Sequence, residues 1–215
     1  EFYNLEQKND VGREYFTQDM INGFNDGTDW QNIIFRKAPI KSSALNVNGG
    51  NEKTQFSISG SIFEQDGIIE GSNYNRYSLH TNVSHEISKK ISVTLSSTLT
   101  RLDTERKDSG GGSRGNSLIS SALGAPPTLS PYNDNGSYRV LSSVYPFVAT
   151  DLINPLNFIN EQTNHVKANV VLSNAAFIFK PIPELTLKVS GGIENRDDRS
   201  DNYTTLSYIN SSGNA

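Results

Sequence analysis

Four stretches of this chain put apolar residues at every second position and small polar ones between them. In "QFSISGSI", Phe56, Ile58, Gly60 and Ile62 alternate with Gln55, Ser57, Ser59 and Ser61. Successive side chains on a strand face opposite sides, so each stretch predicts a strand with one apolar and one hydroxyl-rich face. "RYSLHTNVSHEI" repeats the pattern: Tyr77, Leu79, Thr81, Val83 and Ile87 share a face, and Arg76, Ser78, His80, Asn82, Ser84 and Glu86 take the other. "ISVTLSSTLT" sets Ile91, Val93, Leu95 and Leu99 against Ser92, Thr94, Ser96, Thr98 and Thr100. "LTLKVSGGIEN" sets Leu185, Leu187, Val189, Gly191 and Ile193 against Thr186, Lys188, Ser190, Gly192 and Glu194. A shorter run places Leu45, Val47 and Gly49 opposite Ala44, Asn46 and Asn48. Residues 165–180 are apolar on both parities for part of their length, and their facing stays open at this stage.

The decisive question is what the apolar faces touch. Among 215 residues there is no run of about 18 apolar ones, which a transmembrane helix needs. A β-barrel would leave no such run, because its strands alternate. The connections between predicted strands also sort by length. Those at 49–53, 88–90 and 180–184 are short, the one at 66–75 is intermediate, and 103–163 is very long. Short turns at one end of a sheet and long loops at the other is the arrangement of an outer-membrane barrel. A soluble sandwich, whose apolar faces would pack on a second sheet, has no reason to sort its loops so. A soluble β-sandwich carbohydrate-binding module and a structural surface protein are the competing classes. Good solubility as a monomer without detergent would favour them.

Composition narrows the partners. The hydrophobic fraction is 34%, yet nine Tyr and ten Phe argue against disorder. The net charge of -4, with no basic cluster interleaved with aromatics, points away from nucleic acid. The absence of Cys removes disulfides and thiolate metal sites.

Candidate chemistry is sparse. "GGGSRG" at 110–115 matches G-x-G-x-x-G, with Asp134 downstream, but it follows polar residues rather than a buried strand and reads as a surface loop. "NDNG" at 133–136 lacks the twelfth-position Glu of a calcium loop and reads as a turn. His80 and His85 are five apart, so a strand places them on opposite faces, and His165 stands alone. "ENRDDRS" at 194–200 reads as a solvated strand end, with a polar tail from Arg196 and a further strand near "YTTLSYI". Trp30 is expected to anchor packing rather than stack on a sugar. Phe56 and Tyr77 suit an interfacial aromatic girdle. Short helices are predicted within "EYFTQDMINGF", with Phe16, Met20 and Phe24 on one face, within "TDWQNIIFRKAP", capped by Thr28 or Asp29, and in "NSLISSALG".

An ordered set of motifs carries a family resemblance. Asp29-Trp30, Ile34-Phe35, Ala38-Pro39, the "LNVNGGNEKT" turn, "QDGII" at 65–69 and Arg76-Tyr77 follow one another as in the SusC/RagA family of TonB-linked outer-membrane transporters, which the chain resembles over nearly its whole length. "APPTLSPYNDNGSY", "NPLNFI" and "KPIPELTLKVSGG" resemble the same family. The resemblance implies an all-β fold, about six or seven antiparallel strands of a barrel of about 22 with a plugged lumen, the plug domain and TonB box lying outside these residues. Six or seven strands cannot close such a barrel, so an open curved sheet is expected, with Ile58, Leu79, Val93 and Leu187 exposed on its convex face.

The same resemblance implies the domain plan. Residues 1–41 form a surface loop, 42–102 barrel strands with short turns, 103–163 a long extracellular loop, and 164–215 more strands and the start of a further surface loop. The implied activity is import of glycans or peptides with a SusD-like lipoprotein and the TonB complex, in contact with outer-membrane lipid. It involves no enzymatic step and no cofactor, and no catalytic, metal or ligand-binding residue is assigned.

Overall fold

The computed structural model describes residues 2–12, 14–24, 26–107 and 117–210. The glycine-rich 110–115 stretch lies outside them. Two compact units make up the chain, one of Ile34–Asp108 with Ile159–Tyr208, the other of Glu1–Ile33, Ser109–Phe158 and Ile209–Ala215.

The first unit is one six-stranded antiparallel sheet whose strands lie in chain order. They are β1 (Ile40–Gly50), β2 (Thr54–Asp66), β3 (Asn73–Ser88), β4 (Ile91–Arg106), β5 (Gln162–Ile182) and β6 (Leu185–Thr204). Tight turns at 51–53, 89–90 and 183–184 join them at one end. At the other end lie the 67–72 loop, the passage from β4 to β5, and the chain leading into β1 and out of β6. β1 and β6 are the sheet edges, and every residue of both is exposed.

The strands outrun the apolar alternation. β1 starts at Ile40, β4 continues through Arg106, and β6 runs unbroken through the charged 194–200 segment to Thr204. That segment is therefore the interior of a strand rather than its end, and 206–209 forms no strand. Charged residues on both faces hide these extensions, because the ladder of backbone hydrogen bonds, not burial, holds them.

Register settles the facing of β5. Leu99 pairs with Val171, Leu95 with Ala175 and Val93 with Phe177, so the odd-numbered residues of β5 join the apolar face. Ile58, Leu79 and Leu187 are exposed there, at 42%, 41% and 50%. Val93 departs from expectation and is half-buried. It stands on an interior strand with His85 on one side and Phe177 on the other. A sandwich would need a second sheet over these side chains, and the described residues contain a single sheet.

The second unit is helical and irregular. Its helices are α1 (Phe2–Val11), which the sequence pattern does not reveal, α2 (Gln18–Gly23), most of α3 (Trp30–Ile34), α4 (Leu118–Gly124) and the start of α5 (Pro155–Glu161). α2 is shorter than the Phe16/Met20/Phe24 spacing suggests. Thr17 caps it, its hydroxyl accepting from the Met20 amide, and Phe16 and Phe24 meet edge to face at 5.5 Å from outside its ends. Asp29 caps α3 by accepting from the Asn32 amide at 2.9 Å. Leu118, Ala122, Leu129, Leu141 and Leu152 are buried in this unit, so much of the long connection has a core of its own.

Candidate functional site

Cross-strand pairing arranges the apolar face in rows. From the short-turn end they run Ile91–Phe179–Leu187, then Thr54–His85–Val93–Phe177–Val189, then Gly49–Phe56–Val83–Leu95–Ala175–Gly191. Next come Val47–Ile58–Thr81–Ser97–Ser173–Ile193, Leu45–Gly60–Leu79–Leu99–Val171, and Ser43–Ile62–Tyr77–Arg101–Asn169. On β4 the apolar band spans the nine residues from Ile91 to Leu99, close to the 9–11 residues, roughly, with which a tilted strand crosses a bilayer.

Two side-chain hydrogen bonds lie inside this band. Ser97 and Ser173 share a hydroxyl–hydroxyl bond of 2.6 Å, and the Thr54 hydroxyl lies 2.8 Å from His85 Nδ1. From the row of Arg101 and Asp197 outward the same face turns ionic, with Asp103 and Glu105 on β4, His165 and Lys167 on β5, and Arg199 and Asp201 on β6. His165 Nε2 lies 2.6 Å from Asp103, and Arg199 donates to Asp201 at 2.9 Å. Tyr77 sits in the first row of this charged zone, at the border of the apolar band, as a girdle aromatic would.

The opposite face carries mostly neutral hydrogen-bonding groups, with Lys188 among its charged ones. His80 Nδ1 lies 2.9 Å from the Thr98 hydroxyl, and Ser57 donates to Asn46 at 3.3 Å. Two hollows meet at Asn82. One, of about 590 Å³, is lined by Asn48, Gln55, Ser57 and Ser84 among others. Another, of about 520 Å³, is lined by Thr94, Ser96, Asn174, Lys188 and Ser190 among others. Amides and hydroxyls in this density can bind water, sugar hydroxyls or peptide groups. His80 and His85 fall on opposite faces, as strand parity requires.

Two long-range anchors escape sequence reading. Lys107 Nζ donates to the carbonyls of Ile159 at 2.8 Å and Gln162 at 2.5 Å, with Glu105 at 4.0 Å. Its side chain is 8% exposed, and burial lowers its pKa below the ordinary lysine value, against the raising effect of Glu105. Arg36 braces the 67–72 loop, donating to the carbonyls of Gly67 and Ser72 and to Glu70. No sequence signal marks either, because most acceptors are backbone carbonyls distant in the chain.

In the second unit, Trp30 is 3% exposed and its Nε1 donates to the Pro126 carbonyl at 2.9 Å, so its ring packs inside rather than facing a ligand. Asp134 sits in the 133–136 turn, closed by the Gly136 amide on the Asn133 carbonyl at 2.9 Å, with Gly136 at φ 82°. Among the described residues no group of three or more His, Cys, Asp or Glu could hold a metal.

No family model matches the chain. Over 206 residues it is 27% identical to TonB-dependent receptor P3 of Formosa agariphila, covering 94% of this chain and 20% of that protein. It is 24% identical over 113 residues to TonB-dependent receptor SusC of Bacteroides thetaiotaomicron, covering 52% of this chain and 11% of that protein. The RagAB peptide transporter superposes with a TM-score of 0.67 at 23% identity, over 83% of this chain and 20% of that one. The RagAB peptide importer in its closed-closed state gives 0.66 at 22%, over 86% and 21%.

The resemblance to the SusC/RagA family is thus shown. The solved structures add the barrel fold, and the SusC/RagA-like chain spans about a fifth of the length of the first curated relative it matches. In that frame the open edges of β1 and β6 are where further strands of a barrel wall would pair.

Proposed function

We propose that this chain is a wall segment of a TonB-dependent outer-membrane importer of large nutrients, glycans or peptides, working with a SusD-like surface lipoprotein. The observation that carries the reading is the apolar band of bilayer thickness on one face, ending in a charged zone at the end of the sheet that bears the long connections. The apolar face meets lipid, because burying charge in hydrocarbon is costly and the charges lie only beyond the band. The polar face lines the lumen and meets the plug, water or passing ligand. The turns at 51–53, 89–90 and 183–184 are periplasmic, and the stretches 1–41 and 103–163 lie outside the cell.

Transport in this reading needs no covalent step. A ligand is captured at the surface between barrel and lipoprotein lid, TonB draws on the plug, and the ligand passes along a wall of mostly neutral donors and acceptors. Glycans and peptides both suit the amides and hydroxyls around Asn82. RagAB is a peptide importer, which keeps peptides within range.

Orientation is testable by single cysteines, since these 215 residues contain none and any elsewhere in the receptor can first be replaced by serine. Asp134→Cys and Lys89→Cys are placed singly in the complete receptor and exposed to a membrane-impermeant maleimide. Labelling of Asp134→Cys in intact cells, and of Lys89→Cys only after permeabilising the outer membrane, is expected. The reverse pattern, or equal labelling in intact cells, overturns the reading.

A further inference from the structure

A separate hollow lies wholly within the helical unit. It measures about 390 Å³ and is lined by Phe24, Asp26, Thr28, Thr128 and Ser130 among others. That volume falls within the roughly 300–1,000 Å³ of ligand-binding clefts. Its two walls, 23–28 and 127–130, are tied together through the backbone. The Thr28 amide donates to the Pro127 carbonyl at 2.7 Å, and Trp30 Nε1 donates to the adjacent Pro126 carbonyl. Gly27 permits this approach, since it has φ 80° and a Cβ there would lie 2.8 Å from the Pro127 oxygen. Phe24 is held edge to face against Phe16 at 5.5 Å, and Thr128 shares a hydroxyl–hydroxyl bond of 3.0 Å with Tyr145. The cleft is therefore formed before a ligand arrives.

Its chemistry selects by charge. Asp26 is the charged residue of the lining, and it has no ion-pair or hydrogen-bond partner among the described residues. Arg139 reaches the backbone of Ser130 but donates there to carbonyls, those of Ser130 and Tyr132, at 3.1 Å each. A neutral ligand covering the Asp26 carboxylate would strip its water and return no charge, which costs free energy. An ammonium or guanidinium returns the charge, and the Phe24 ring adds the attraction of its face for a cation. The hydroxyls of Thr28, Thr128 and Ser130 can accept the remaining N–H groups. A cleft of this size takes one side chain rather than the whole of a large nutrient.

We propose that this cleft binds a basic side chain, arginine or lysine, of a peptide captured for import. The inference rests on the importer reading above, in which 1–41 and 103–163, the stretches that build the cleft, lie outside the cell. It narrows the ligand from glycans or peptides to peptides that carry a basic residue.

The test is calorimetric titration of the complete receptor in detergent with two blocked pentapeptides, alanine throughout except for a central arginine or its neutral isostere citrulline, and with maltohexaose. The arginine peptide is expected to bind about tenfold tighter than the citrulline peptide, the joint scale of one exposed ion pair and one cation–π contact. Asp26→Asn and Phe24→Leu should each cut that preference to about threefold, the scale of the contact that remains. Affinity for the citrulline peptide should stay the same in Asp26→Asn, which shows that the variant still folds and binds.

Equal affinity for the two peptides, no binding of either, or a preference that survives both substitutions overturns the site. Maltohexaose binding that Asp26→Asn abolishes, with no preference for arginine, overturns it in favour of a glycan. These results leave the importer reading standing, because the labelling of Asp134→Cys and Lys89→Cys decides that reading. Reversed labelling with the arginine preference intact would overturn the importer reading and leave the cation cleft in place.

Discussion

The hydroxyls of Ser97 and Ser173 face each other at 2.6 Å across β4 and β5, in the row that also holds Val47, Ile58 and Ile193. In water such a bond is worth little, because each hydroxyl exchanges one partner for another. In hydrocarbon the alternative is no partner at all. The pair therefore reports on what this face touches.

Replacing either serine alone by alanine strands the other hydroxyl. Each single variant is expected to lose about 1–2 kcal/mol of stability, and the double variant to regain most of it. Urea unfolding of the complete receptor in phospholipid vesicles provides the double-mutant cycle. Single variants within about 0.3 kcal/mol of the parent, the limit at which independent sites add, would mean that the pair is hydrated.

The first tight turn rests on a glycine for a nameable reason. Gly50 has φ 153°, and a Cβ there would lie 2.2 Å from the Thr54 carbonyl oxygen, a backbone atom that cannot swing aside. Asn51 completes the turn, its side-chain oxygen accepting from the amides of Lys53 and Thr54 at 2.9 and 2.8 Å. Gly50→Ala is expected to cost about 1–3 kcal/mol, the range for a strained backbone position, and Gly60→Ala close to nothing. Unfolding midpoints of the two variants provide the comparison.

The parts of the fold that sequence reveals are those where one face is uniform. Ser57, Ser59 and Ser61 against Ile58, Gly60 and Ile62 declare a strand and its two environments. β5 resists this reading because Val170, Val171 and Leu172 are apolar on both parities, and only the pairing of Val171 with Leu99 assigns a face. The outer halves of β4 and β6 resist it because "DTER" and "NRDDRSDN" place charges on both faces, outside the band where side chains differ by solvent. α1, with the sequence "FYNLEQKNDV", has no apolar period to reveal it. On the polar face, the neutral chemistry is legible but no binding residue is, since its amides and hydroxyls are alike in type and evenly spread.

Lys107 links pH to the root of the long connection. Its folded pKa lies below the unfolded value of 10.5, so the folded state sheds this proton first. Between the two values the unfolded chain binds more protons, and stability rises with pH. Below the folded value the burial cost of the ammonium is present in full. The neutral amine still has a hydrogen for each carbonyl, of Ile159 and Gln162. Lys107→Met removes both bonds and is expected to lose about 1–3 kcal/mol, the cost of unsatisfied buried acceptors. The gap between parent and variant should widen as pH rises from 7 toward 10.5. Paired unfolding curves at the two ends of that range isolate the effect, because other titrating groups cancel in the difference. A gap that stays constant would mean that Lys107 titrates like a solvated lysine.

Ile58 and Ser59 are adjacent on β2 and fall on opposite faces of the sheet, which makes them a direct comparison of the two faces. Ile58 is 42% exposed within the apolar band, between Val47 and Thr81. Ser59 lies on the polar face between Asn46 and His80. An arginine facing lipid near the middle of a barrel wall costs about 2–4 kcal/mol, whereas lumenal substitutions leave stability largely intact. Ile58→Arg is therefore expected to reduce folded receptor in the membrane, read as the heat-modifiable gel band, and Ser59→Arg to leave that band unchanged. Ser59→Arg should instead alter ligand uptake, since it adds a long cation among the hydroxyls and amides around Asn46 and His80. The detergent-solubilised proteins separate the lipid effect from a packing defect. In micelles, where the tails yield more easily to a snorkelling side chain, the Ile58→Arg deficit should shrink. A deficit that persists undiminished in micelles, or one of equal size for Ser59→Arg, would mean that both faces meet protein rather than lipid and lumen.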